Sequence, residues 1–102
     1  MPGLNIDRLK SLSEELRAAI ENLREYLSFD TEVIIKDKRM LQAIKYNFIV
    51  GIQATIDICQ HIVARKAGKV PDEYGECFLI LRDIGYLDGE YAIEAKKMAG
   101  FR

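Results

Sequence analysis

Between Asp37 and Lys66 the chain holds a helical spacing of apolar residues for about eight turns without meeting a proline. At about 100° per residue, Leu41, Ile44, Phe48, Ile49, Ile52, Ile56, Ile58, Cys59, Ile62 and Val63 fall on one half of the cylinder. An apolar side that broad is more than one neighbour can cover, so the segment predicts a central helix flanked on two sides. Its opposite side carries Arg39, Gln42, Tyr46, Gln53, Asp57, Gln60 and His61, with Val50 breaking the polar run. Asp37 is the expected N-cap. Arg65 and Lys66 suit the negative end of the helix dipole, Gly68 marks the stop, and Val70-Pro71 prevents continuation. Gly51, inside the helix, costs about 1 kcal/mol relative to Ala, which predicts close approach of another helix.

The rest of the chain must pack around this segment. Asn5 or Asp7 can cap a first helix reaching about Leu27, with Leu9, Leu12, Leu16, Ile20, Leu23 and Leu27 three and four apart. Glu14 with Arg17, and Glu21 with Arg24, stand at i,i+3 on its wet side, each pair contributing ~0.2–0.5 kcal/mol. Val33-Ile34-Ile35 has strand propensity, but a lone strand would find no partner. Ser28 to Lys36 is therefore expected to form a short helical turn or an ordered corner. After Pro71, Asp72 is the expected cap of a third helix covering Tyr74, Cys77, Phe78, Leu81 and Ile84, with Gly85 as its C′ residue. Asp88 caps a fourth through Tyr91, Ile93, Ala95 and Met98, before Gly100. The reading is all-α: a small up-and-down helical bundle around one long central helix, a single domain over residues 1–102.

Composition narrows the function classes. The chain has 102 residues, 49% hydrophobic and 30% charged, too apolar for intrinsic disorder. A net charge of −1 gives no global positive field of the kind a nucleic-acid coat protein needs. Cys59 and Cys77 lack CxxC spacing and read as reduced, buried thiols. No signal peptide is visible at residues 1–10, and no window approaches the ~20 apolar residues of a membrane span, so the expected location is cytoplasmic, without membrane contact.

The catalytic inventory is sparse. His61 is the one histidine, and Asp57 stands four residues earlier on the same face. A carboxylate there can orient an imidazole as a general base requires, although a surface or interface hydrogen bond is the commoner role. With no ExxH pair and no Cys/His cluster, no metal is expected. The absence of GxxxxGK(S/T), GxGxxG and GxSxG disfavours ATPase, dehydrogenase and serine-hydrolase chemistry and implies no cofactor. Lys36, Lys38 and Arg39 lie about 40 Å along the helix from Arg65, Lys66 and Lys69. Such groups are more often solvated helix ends than grips for RNA phosphates. Tyr46, Gln53, Asp57 and Gln60 leave one side of the central helix wet, and Val50 and Tyr46 are the expected seat of a symmetric partner, a homodimer with a polar groove whose candidate residues are Tyr46, Gln53, Asp57 and His61.

The run from Ile52 to Val63 (Ile-Gln-Ala-Thr-Ile-Asp-Ile-Cys-Gln-His-Ile-Val), then Val70-Pro71-Asp72-Glu73-Tyr74, Phe78, Leu81 and Gly85-Tyr86-Leu87, resembles the HepT-like proteins of the HEPN superfamily. The closing Lys97-Met98-Ala99-Gly100-Phe101-Arg102 is the most specific part. In that family a Lys-Met-x-Gly-Phe-Arg run opens a signature in which Arg is followed, a few residues on, by His and then Tyr. The resemblance covers nearly the whole chain. It implies a helical, homodimeric, metal-independent ribonuclease, the toxin of a toxin–antitoxin pair. The antitoxin it implies is a minimal nucleotidyltransferase that adenylylates the motif tyrosine. The motif makes chemical sense: a forked, always-charged guanidinium holds the scissile phosphate while a histidine moves protons at the 2′-hydroxyl.

Arg102 is the one motif group carried over, since the His and Tyr expected after it fall beyond the last residue. His61 belongs to another helix and another family position and does not replace them. The chain as written is therefore expected to be inactive, with the C-terminal part of the family fold missing and apolar surface left open on the third or fourth helix. A reading from another class is a non-catalytic helical partner that holds a nucleotidyltransferase or presents its substrate; an interaction module of another kind is the third.

Overall fold

The structure, a computed structural model, describes residues 3–69 and 71–101. Its described residues form five helices and no strand: α1 (Ile6–Leu27), α2 (Thr31–Lys36), α3 (Lys38–Lys66), α4 (Glu76–Asp83) and α5 (Gly89–Ala99). The 29 residues of α3 make a rod of about 43 Å, which sets the long dimension of a molecule measuring 51 × 27 × 21 Å. The all-α bundle around one long central helix is what the apolar spacing predicts. Val33-Ile34-Ile35 lies inside α2, as the short helical corner expected there.

Local chemistry explains most boundaries. The Asn5 side chain accepts the Arg8 N–H at 3.0 Å and starts α1, while Asp7 sits inside the first turn. Asp37 does the same for α3 by accepting the Met40 N–H at 3.1 Å, and Asp88 for α5 by accepting the Glu90 N–H at 2.9 Å. Past the end of α3, Gly68 takes a φ of 65°, and Gly85 takes 83° after α4. At Gly85 the pattern is a Schellman motif: the Gly85 N–H donates to the Arg82 carbonyl at 3.0 Å and the Tyr86 N–H to the Leu81 carbonyl at 2.9 Å.

Two sequence expectations change. Asp72 does not cap α4, which starts at Glu76 behind Gly75. Residues 72–75 form a turn instead, and a Cβ on Gly75 would lie 2.8 Å from Lys96 Cγ, so α4 begins where its backbone rests on α5. The i,i+3 pairs Glu14–Arg17 and Glu21–Arg24 do not close; the ion pairs among the described residues are Arg82–Asp83 at 3.1 Å and Glu94–Lys97 at 3.8 Å. An exposed pair of long side chains gains too little to be held in one geometry.

The broad apolar side of α3 resolves into two seams. Ile52, Ile56, Cys59 and Val63 pack with Cys77, Phe78 and Leu81 of α4 and with Ala92 and Ala99 of α5. Fully burying a side chain such as Ile56 or Phe78 contributes ~1.5–3 kcal/mol. The second seam faces α1, where Leu12 and Ala19 are buried. A Cβ on Gly51 would stand 3.5 Å from Ala19 Cβ and 3.8 Å from Leu16 Cδ1, so α1 does approach closely there, at a distance a methyl group would still fit. Between the same helices Asn47 is buried yet satisfied: its Nδ2 donates to the Ala43 carbonyl at 2.8 Å and its Oδ1 accepts from Asn22 Nδ2 at 3.1 Å. No described helix is long and apolar enough to cross a membrane.

Candidate functional site

Of the most specific sequence run, Lys97 to Arg102, the first three residues close α5 and Phe101 lies beside α3. Arg102 lies outside the described residues. Of the others, Ala99 is buried in the core, Met98 packs against it, and Lys97 pairs with Glu94. Gly100 keeps a right-handed φ of −68°, unlike Gly68 and Gly85, and its N–H donates to the Lys97 carbonyl at 3.1 Å. The Phe101 N–H donates to Met98 at 3.0 Å, so the backbone is still coiled as it reaches Phe101, whose ring is 81% exposed.

Phe101 borders a groove of about 960 Å³. One wall is α3, with Lys45, Phe48, Ile49 and Ile52; the other is the last turn of α5, with Glu94, Lys97, Met98 and Phe101. The groove exists because α4 and α5 meet the apolar side of α3 from Ile52 onward and leave the turns before it bare. Phe48 and Ile49 are 46% and 52% exposed, although their spacing places them with core residues. The sequence reading placed open apolar surface on the helices that follow Pro71; Phe48 and Ile49 instead lie on the long central helix. The groove lining is apolar with charge at the rim, the character of a docking groove.

The four α3 candidates do not form one cluster. Tyr46 is exposed, two turns before Gln53. Gln53 Nε2 donates to Asp57 Oδ1 at 2.8 Å, so Asp57 takes an amide and not the imidazole it was placed to orient. His61 turns toward α1, where its Nε2 accepts the Asn5 backbone N–H at 3.0 Å. That bond requires a lone pair on Nε2, so the neutral ring carries its proton on Nδ1. Burial, followed by the charges of Arg65 and Arg8, holds the His61 pKa below its ordinary value. From Ile49 in the groove to His61 is about 18 Å along α3. His61 therefore belongs to the far end of the bundle and not to the site beside Phe101.

Other candidates are structural. Cys59 and Cys77 are free and buried together; the hydrogen bond to Cys77, reinforced by burial, raises the Cys59 thiol far above its ordinary range and keeps it protonated. Lys36, Lys38 and Arg39 are exposed at one end of α3, and Lys66 and Lys69 at the other. Among the described residues no three His, Cys, Asp or Glu side chains gather as metal ligands. Sequence reasoning missed Asn47 and Asn22, whose apolar neighbours at helical spacing were the available signal.

With this geometry in place the comparisons can be read. The ribonuclease HepT-like family model matches residues 16–102, from within α1 to the end of the Lys97–Arg102 run. The chain belongs to this family. Among solved structures, one chain of a mutant of the toxin–antitoxin MntA–HepT has a TM-score of 0.87 and 20% identity over 94% of this chain and 72% of that one. At that identity the likeness concerns the fold. No curated protein sequence matches. The matched stretch includes Phe101, which borders the groove, and ends at the residue that follows it in sequence.

Proposed function

We propose that this HepT-like chain is the toxin subunit of a toxin–antitoxin pair, a metal-independent ribonuclease in its complete, homodimeric form, with a nucleotidyltransferase as antitoxin. The observation that carries this reading is the family match through the Lys97–Arg102 run, which ends on Arg102. In the proposed chemistry Arg102 holds the scissile phosphate through its forked guanidinium while charge builds on the non-bridging oxygens. The proton carrier is a histidine of the complete motif and not His61, which the α1 N-terminus engages some 18 Å away along α3. The place of action in this reading is the cytoplasm.

The test is an RNA-cleavage assay on the full-length gene product in the presence of a chelator, with Arg102→Ala beside it. Cleavage lost in the variant supports the assignment; unchanged cleavage removes the role of Arg102. A second reading, a non-catalytic helical partner of a nucleotidyltransferase, is favoured by one observation, the apolar groove open beside α5. It predicts no cleavage by the full-length product together with co-purification of a nucleotidyltransferase.

A further inference from the structure

Cys59 and Cys77 take no part in the proposed nuclease chemistry or in the groove. Cys59 lies well inside α3 and Cys77 on α4, and they are 1% and 0% exposed within one core cluster. Their thiols meet across the helix interface in a hydrogen bond, Cys59 donating and Cys77 accepting. As packing, a thiol is a small hydrophobe that Ala or Val could replace; what the pair adds is a bond it can form. The helix starts around it are unequal. α1, α3 and α5 each begin on a side chain that accepts a first-turn N–H, from Asn5, Asp37 and Asp88, whereas α4 begins at Gly75 without one. Cys77 is the second residue of α4 and so sits in that uncapped turn, the part of the helix held least firmly. The Cys59 S–H and the positive end of the α4 dipole favour a thiolate at Cys77, against the effect of burial. Cys77 is therefore the sulfur that a small oxidant reaches first, and Cys59 is the partner that waits behind it.

We infer that Cys59 and Cys77 are a redox staple: hydrogen peroxide converts them to a disulfide that ties α4 to α3, and a cellular dithiol releases it. The Cys77 sulfur attacks one oxygen of the peroxide, the O–O bond breaks, and the other oxygen leaves as water, giving a sulfenic acid. The Cys59 sulfur then attacks the Cys77 sulfur; the S–S bond forms, the S–O bond breaks, and a second water leaves. Both thiol protons end on the two waters, and the two electrons lost by sulfur reduce the peroxide. Closure draws the sulfurs from hydrogen-bonding contact to about 2.05 Å. It also shuts a loop between residues 18 positions apart, which restricts the unfolded chain. α5 leans on α4 far more than on α3, so the same bond fixes the hairpin that carries Lys97 to Phe101. In a reducing compartment such a disulfide is transient, which suits a sensor better than a permanent brace. The inference stands independently of the nuclease reading.

The test is intact-mass analysis of the 102-residue chain after hydrogen peroxide under native conditions, followed by denaturation and alkylation with N-ethylmaleimide. The expected product has the mass of one chain, 11.7 kDa, less two hydrogens, and carries no maleimide; dithiothreitol restores both adducts. The urea midpoint of the oxidised chain should lie above that of the reduced chain, because the unfolded state is the one the bond restricts. Cys59→Ala should leave Cys77 as a sulfenic acid that dimedone traps, with no rise in the urea midpoint. If that variant fails to fold, the native chain decides alone. A native chain that still takes two maleimides after peroxide overturns the inference. So does a product of twice the mass, which would place the disulfide between chains, and so does an oxidised chain whose urea midpoint falls. The nuclease reading is judged separately by the Arg102→Ala assay.

Discussion

The two halves of α3 are built from the same residue types and end in opposite conditions. From Ile52 to Val63 the isoleucines, Cys59 and Val63 are closed in by α4 and α5, and Ile56 and Val63 are 0% exposed. From Leu41 to Ile49, Phe48 and Ile49 sit at the same kind of helical position and remain about half exposed. The difference lies in the neighbours. α4 and α5, with 8 and 11 residues, are too short to follow a 29-residue helix along its whole length. An apolar face marks where a partner belongs, and whether that partner is a helix of the same domain depends on how far the rest of the chain reaches.

The contrast is broken most directly by truncating one aromatic that packs on the closed half and one that stands on the open half. Phe78→Ala, on α4 against the closed half, should cost ~3–5 kcal/mol in urea unfolding, whereas Phe48→Ala should change monomer stability by no more than about 0.5 kcal/mol. Equal losses would mean that the bare half is packed after all. Next in size is Asn47→Ala, which removes the acceptor of Asn22 and the polar tie between α1 and α3; a loss of ~1–3 kcal/mol is expected by the same measurement. Gly51→Ala, where the halves meet, should stabilise by up to about 1 kcal/mol, because the new methyl group would stand in ordinary contact with Ala19 and Leu16. A drop in stability there would show that α1 cannot tolerate even that group.

The smallest effect is at the closed end. His61 has a lowered pKa in the folded chain, so the unfolded chain takes up the proton first. Stability is therefore full above the ordinary histidine value of 6.5 and is lost as pH falls through it toward the folded value. Protonation also removes the lone pair that accepts the Asn5 N–H. The urea midpoint between pH 7.5 and 5.5 should fall in the native chain and stay flatter in His61→Gln; parallel curves would remove His61 as the cause.

How much of this was legible depends on where the information resides. Asn5, Asp37, Asp88 and Gly85 act through bonds within one turn, and sequence reading placed them because capping is local. The start of α4 was misplaced at Asp72 because it is set by Gly75 resting on Lys96, a contact between residues 21 positions apart. The apolar half-cylinder of α3 was recognised, but its division into a closed and an open half depends on the lengths of α4 and α5. Of the candidate residues, Tyr46 is open as a wet face requires, while His61 is drawn to α1 by the Asn5 amide, a pairing across 56 positions that no helical wheel contains.

The adjoining thiols of Cys59 and Cys77 carry a practical corollary. Neither can meet an alkylating reagent while α3 and α4 stay together, and Cys59 is protonated besides. The rate at which iodoacetamide tags them therefore times the parting of those two helices, and the protein holds its own clock for that event without any introduced label.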